Sequence, residues 1–200
     1  MPKNHNPMQH FKKWFFEADE LYNEREVNAM LLTTIGTDNF PKSRMVLLKK
    51  YTWEGFVFFT NYESEKAISI ASNSKVSLQF NWVNSNRIVN VSGIATKISE
   101  TMASNYFGLR PRGSKLGAWA SSQSKKVNSR IDLEQRLLAY ENKFKGKEIP
   151  KPPFWGGYLI RPEKFDFIQK KDYSNLIETY SLELNYIWSK KEKLQTNYLN

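Results

Sequence analysis

Ser43-Arg44-Met45-Val46-Leu47-Leu48-Lys49-Lys50 sets cations at either end of four apolar residues. The run reads as a strand, and alternate residues of a strand share a face. Arg44, Val46 and Leu48 therefore point one way, and Met45, Leu47 and Lys49 the other. A strand in the wall of a small barrel has no use for cations at its ends unless an anion lies there. On this stretch alone a buried strand with solvated ends is the plainer reading. The segments downstream move the balance toward a phosphorylated ligand lying along the barrel wall.

Ala29–Ile35 precedes this stretch and ends at the turn cluster Gly36-Thr37-Asp38-Asn39. The strand itself spans Lys42–Tyr51, and Trp53-Glu54-Gly55 turns the chain into Phe56–Asn61. Connections this short predict an antiparallel meander. Ser64 is a candidate N-cap for a short helix, Ser64–Ala71. Lys75–Trp82 alternates with Val76, Leu78 and Phe80 on one face, and Asn84-Ser85-Asn86 leads into Arg87–Ile98. Five strands with one inserted helix predict a closed or nearly closed barrel.

On the N-terminal side, residues 7 to 23 have helical spacing, with Met8, Phe11, Phe15, Ala18 and Leu21 or Tyr22 as the apolar stripe and Asn6-Pro7 as its start. On the C-terminal side, helices are expected from Ser99 to about Phe107, over Ser114–Ser121, and over Ser129–Phe144. The buried side of the last is Ile131, Leu133, Leu137, Leu138 and Phe144. Lys145–Pro153 is a Pro-rich connection. Strands resume at Trp155–Arg161, Lys164–Lys170 and Thr179–Ser189, with a turn at Lys190-Lys191-Glu192 and a final strand to Leu199.

The 200 residues fit one domain with a real core, and 40% hydrophobic and 14% aromatic content excludes a disordered chain. There is no Cys, so disulfides, thiolate catalysis and cysteine metal sites are excluded. His5 and His10 both lie at the N-terminus, leaving no histidine base or histidine metal site expected in the folded body. Acid–base chemistry then falls to Lys, Tyr, carboxylates or a cofactor. No run of about 18 apolar residues suggests a membrane span, and no signal-peptide core is visible, so a cytoplasmic protein is expected. The net charge of +10 favours anionic partners. Its dispersal along the chain argues against nucleic acid, which prefers one basic stripe.

Two further segments share the cationic character. Phe59-Thr60-Asn61-Tyr62-Glu63-Ser64-Glu65-Lys66 is a strand end running into a helix start, where free N–H groups, a hydroxyl and a Lys suit a phosphate. Tyr106-Phe107-Gly108-Leu109-Arg110-Pro111-Arg112-Gly113-Ser114, followed by Gly117-Ala118-Trp119 and Ser122-Gln123-Ser124, offers charge-assisted donors to a second phosphate. Trp119 and Trp155 read as core aromatics, and Ser121 and Ser122 as shaping a loop.

In this order these segments, with Asn28-Ala29-Met30, Val76-Ser77-Leu78, Phe80, Trp82 and Phe154-Trp155-Gly156-Gly157, resemble the pyridoxamine 5'-phosphate oxidase family of flavin mononucleotide (FMN) enzymes. The resemblance covers about residues 6 to 170. It implies an α+β protein, mainly β, built as an antiparallel Greek-key split β-barrel of the FMN-binding type with surrounding helices. A single domain follows, with an N-terminal helix (1–27), a barrel core (28–99), a helical segment (100–153) and C-terminal strands (154–200). It also implies a homodimer with FMN between the subunits.

By the resemblance, Arg44, Met45, Val46, Leu47, Leu48 and Lys49 contact the flavin. Phe59, Thr60 and Lys66 are further flavin contacts, with Lys66 near the phosphate, and Gln123 and Ser124 come from the partner subunit. Lys49, Tyr106, Arg110 and Ser114 match the cradle of the substrate's phosphate. The implied activity is oxidation of pyridoxamine or pyridoxine 5'-phosphate by O2 to pyridoxal 5'-phosphate and H2O2. The alternatives are a relative acting on another substrate, such as a reduced aromatic compound, and a non-catalytic FMN- or pyridoxal-phosphate-binding protein.

The chain also departs from the family pattern. Glu65 stands where the family has Arg, Ile88 where a Gln contacts the flavin, and Ile168 where a Trp lies. The family's Arg-Leu-His-Asp-Arg falls on Asn175-Leu176-Ile177-Glu178-Thr179, and its Gly-Gly on Lys170-Lys171. The chain begins late, so the N-terminal segment that covers the site in longer members is expected to be missing.

Overall fold

The computed structural model describes residues 6–121, 130–184 and 186–196. It opens with α1 (Pro7–Glu20), where Asn6 caps the first turn through Oδ1, which accepts from the N–H of Met8 at 2.9 Å. The buried seam of α1 is Met8, Phe11, Trp14 and Ala18. Trp14 takes the place expected of Phe15, and the helix stops before Leu21 and Tyr22, which are exposed. Strands β1 (Ala29–Ile35) and β2 (Pro41–Leu47) form a hairpin, and β3 (Lys50–Thr52) and β4 (Gly55–Asn61) form another. Helix α2 (Glu65–Ser72), strands β5 (Lys75–Trp82) and β6 (Arg87–Lys97), and helices α3 (Glu100–Leu109), α4 (Arg112–Ala120) and α5 (Arg130–Lys143) follow. Strands β7 (Trp155–Lys170), β8 (Ser174–Leu182) and β9 (Trp188–Thr196) complete the described chain.

The strands form an antiparallel sheet ordered β2-β1-β5-β6-β7-β4-β3, with β8 on β7 and β9 on β8, curled into a half-barrel. The class is α+β, as the sequence suggested. The expected meander is only partly present. The Lys42–Tyr51 strand breaks at Leu48-Lys49, where the N–H of Leu48 bonds the carbonyl of Asn28 at 2.8 Å and that of Lys49 bonds Val57 at 2.9 Å. The chain there exchanges β1 for β4 as its partner, and β4 pairs onward with β7. The two C-terminal segments predicted around Pro162 are one strand, β7, whose pairing with β6 shifts register between Ser92 and Gly93.

The C-terminal turn also lies elsewhere than predicted. It falls between β8 and β9, where the N–H of Glu183 bonds the carbonyl of Ile187 at 2.9 Å. Lys190 instead continues β9, where its ammonium pairs across the ladder with Glu178 and along its own strand with Glu192 at 2.6 Å.

The main core gathers Phe11 of α1 against Phe56, Phe80 and Trp82, all buried, with Leu32, Leu78, Val91 and Phe165 around them. A smaller core lies under α3 and α4 and contains Phe107, Leu116, Phe144 and Trp155. Helix α5 packs through Leu137 and Tyr140, with Phe144 just past its end and Leu133 half-buried; Ile131 and Leu138, expected inside, are 65% and 58% exposed. His10 belongs to the folded body, contrary to expectation. It stacks on Phe167 at 4.0 Å and 9°, with Nδ1 3.2 Å from the Tyr180 hydroxyl.

Candidate active site

Strand β2 alternates as read: Lys42, Arg44 and Val46 are half-buried, while Met45 and Leu47 face outward, 62% and 41% exposed. Arg44 is anchored by its own Nη1, which donates to Thr34 Oγ1 and to the Lys42 carbonyl, both at 2.7 Å. Burial lowers its affinity for its proton, and Glu65 partly restores it.

At the end of β4, Thr60 and Ser64 are buried, with their hydroxyls 3.4 Å apart. Ser64 occupies the N-cap position of α2, but its hydroxyl does not cap the helix. The first turn of α2 thus lacks a side-chain acceptor for its free N–H groups. Lys66 reaches back to Thr60 Oγ1 at 3.4 Å. Its pKa is pushed down, first by burial and then by neighbouring Arg44, with Glu65 opposing. Glu65 itself lies 65% exposed and turned outward, bonded to Lys42 at 2.8 Å.

Across the cavity, α3 ends at Arg110, whose guanidinium lies over the rings of Trp155 at 5.0 Å and Phe107 at 5.6 Å. Burial lowers its pKa, and its Nη1 is buried with no hydrogen-bond partner. Tyr106, Phe59 and Trp155 stack in parallel, with ring centres 3.9 and 5.1 Å apart. Arg112 is not part of this group. It is spent on helix-end carbonyls, donating to Phe144 at 2.8 Å and Lys147 at 3.2 Å.

Arg44, Met45, Val46, Leu47, Lys49, Phe59, Thr60, Lys66, Tyr106, Arg110 and Ser114 line one cavity of roughly 480 Å³, within the range of cofactor sites. A second cavity of roughly 410 Å³ shares Leu47, Lys49, Tyr106, Arg110 and Ser114 with it. Leu48 does not line either; its side chain is buried in the main core. Gln123 and Ser124 lie outside the described residues. Sequence reasoning passed over Asn61, Ser121 and Trp155, which also line the larger cavity. Asn61 was legible in principle as a strand-end Asn: its Oδ1 accepts from the N–H of Glu63 at 2.7 Å. Its Nδ2 is buried without a partner.

The donor set fits an anionic cofactor. Among the described lining residues are four cations, Arg44, Lys49, Lys66 and Arg110, and no carboxylate. No group of three His, Cys, Asp or Glu side chains suited to a metal occurs among the described residues, and no helix there is long and apolar enough to cross a membrane.

Three departures from the family pattern are neighbours in space. Ile88 pairs with Ile168, and Ile168 with Ile177, forming one cross-strand row on the sheet face opposite α1. Thr179 donates to Asp166 at 2.6 Å. None of these residues, nor Asn175, is among those lining the cavity of the same chain.

The sequence profile described as pyridoxamine 5'-phosphate oxidase matches residues 17–140. The chain belongs to the pyridoxamine 5'-phosphate oxidase family. A pyridoxine/pyridoxamine 5'-phosphate oxidase of Flavobacterium johnsoniae is 50% identical over 164 residues, covering 82% of this chain and 77% of its own. The enzyme of the same name from Flavobacterium psychrophilum is 44% identical over 185 residues, covering 92% and 86%. Among solved structures, PhzG of Burkholderia lata in complex with tetrahydrophenazine-1-carboxylic acid superposes with a TM-score of 0.88 at 23% identity, over 96% of this chain and 93% of that one. A pyridoxamine 5'-phosphate oxidase-related, FMN-binding protein of Nostoc punctiforme gives 0.72 at 14% identity, over 92% and 95%. These likenesses show the split-barrel fold. As a member of the pyridoxamine 5'-phosphate oxidase family, the protein is an FMN-dependent oxidoreductase.

Proposed function

We propose that the protein oxidises pyridoxamine 5'-phosphate or pyridoxine 5'-phosphate to pyridoxal 5'-phosphate as a homodimer. The observation that carries this reading is Arg110, a half-buried cation whose Nη1 is buried without a partner, facing a cavity shared with Lys49, Tyr106 and Ser114. A buried guanidinium N–H without a partner costs free energy, and a substrate phosphate would supply the acceptor. Arg44, Lys66 and Thr60, beside the uncapped first turn of α2, would hold the phosphate of FMN, while Phe59 and the residues Met45–Leu47 border its ring. Gln123 and Ser124 would come from the partner subunit.

Bound FMN would supply the two-electron redox chemistry, with O2 as the final acceptor and H2O2 as its product. With pyridoxine phosphate the alcohol carbon becomes the aldehyde directly; with the amine, water completes the release of ammonia. The chain's part is to hold the substrate phosphate and orient the ring. Lys49, Arg110 and Ser114 fix the phosphate end, and the flat Tyr106–Phe59–Trp155 stack forms the adjoining wall.

Reconstitution with FMN, followed by assay of phosphorylated and unphosphorylated B6 forms side by side, tests this. Pyridoxal phosphate and H2O2 should appear in equal amounts from the phosphorylated forms. No product at saturating FMN would overturn the reading and favour a second one: oxidation of a less polar ring compound, for which the Ile88–Ile168–Ile177 row is the supporting feature.

A further inference from the structure

Glu65 is a carboxylate beside the cations of the cavity, where its charge opposes an anion, and its setting is specific. Its Oε1 lies 2.8 Å from Lys42 Nζ and its Oε2 3.9 Å from Arg44 Nη2. Lys42 is held in turn by Asp38 at 3.1 Å. Glu65 is the first residue of α2 and directly precedes Lys66. Arg44 and Lys66, both partly buried, repel one another across the site, and Glu65 is the carboxylate that both feel.

We propose that Glu65 is a resident counter-anion for the Arg44–Lys66 pair, held at the rim by Lys42, and that it weakens binding of the FMN phosphate by competing for those two cations. The inference rests on the placement of that phosphate beside Arg44 and Lys66. The carboxylate is not among the residues lining the cavity, so it need not leave for FMN to enter. It acts through space, at a distance where a partly solvated pair is worth a modest and salt-sensitive amount. An isolated cation pair would strain the empty fold. With Glu65 present the empty site is tolerated, and the cost appears as looser cofactor binding.

The test is titration of the purified full chain, stripped of cofactor, with FMN and with riboflavin, which lacks the phosphate, read by quenching of flavin fluorescence. Glu65→Gln keeps the shape and still accepts a hydrogen bond from Lys42. It should tighten FMN about fivefold at low ionic strength and leave riboflavin unchanged. The gain should vanish near 1 M salt, where screening shortens to about 3 Å. Equal or weaker FMN binding by Glu65→Gln would overturn the inference, as would an equal gain for riboflavin. Lys66→Met separates the site of the phosphate from the effect of Glu65. If it weakens FMN and spares riboflavin, the phosphate placement stands and Glu65→Gln alone decides. If it changes neither, the placement fails and the inference with it.

Discussion

Arg110 and Arg112 flank one proline, yet only Arg110 meets the cavity. The difference is local geometry: Arg112 opens α4 and finds the carbonyls of Phe144 and Lys147, whereas Arg110 ends α3 above two aromatic rings. The paired motif was legible; which arginine faces the ligand depends on a helix boundary and on residues more than thirty positions away. Lys66 and Thr60 were legible because a strand end and a helix start adjoin in sequence. Leu48 was not, since its alternation could not reveal that the chain changes partner there. Arg110→Ala should raise KM for pyridoxine 5'-phosphate by about 10- to 100-fold, the worth of a charged hydrogen bond, and barely change KM for unphosphorylated pyridoxine. Equal effects on both substrates would show that Arg110 does not hold the phosphate.

The strands and helices were mostly legible from period and turn chemistry; the C-terminal hairpin was not. Lys190-Lys191-Glu192 looks like a turn by polarity, but Lys190 lies in β9 and pairs across the ladder with Glu178 of β8, a cross-strand pairing that local sequence does not announce. The same hairpin meets α1 at His10, which faces Glu178, Tyr180, Lys190, Lys13 and Arg87. Burial lowers the His10 pKa below 6.5, outweighing the pull of Glu178, with the nearby cations adding to the decrease. The unfolded chain therefore binds more protons than the folded one just below pH 6.5, and stability rises with pH through that window. Melting temperature should climb between about pH 5 and pH 7, and His10→Gln should flatten that climb. An unchanged slope in the variant would exclude His10 as its source.

Strand β8 offers a second test. Restoring the family's Arg and His with Asn175→Arg and Ile177→His should raise kcat/KM for pyridoxine 5'-phosphate at least about tenfold. A decrease would mean that β8 does not stand near the substrate.

For the molecule as a whole, the sheet face opposite α1 presents Leu31, Met45, Leu47, Ile88, Ile168 and Ile177, none of them fully buried in the single chain. A homodimer that closes this face would complete the site, and Ile168→Asp places a charge in its middle. Sedimentation should give a two-chain mass for the parent and a one-chain mass for Ile168→Asp, with bound FMN lost alongside. A one-chain parent at saturating FMN would refute the homodimer. This level was the least legible in sequence, because Ile88, Ile168 and Ile177 are about ninety positions apart at their extremes and become a row only through two strand registers.

The exchange of partners at Leu48-Lys49 makes that dipeptide a mechanical joint. Leu48 is tied to the segment leading into β1, Lys49 is tied to β4, and the Lys49 side chain borders both cavities. A ligand gripped by Lys49 therefore pulls on both arms of the barrel at once. Cofactor and substrate act as a brace, and their loading should slow amide hydrogen exchange at Leu48 and Lys49 together, joining two regions of the fold into a single cooperative unit.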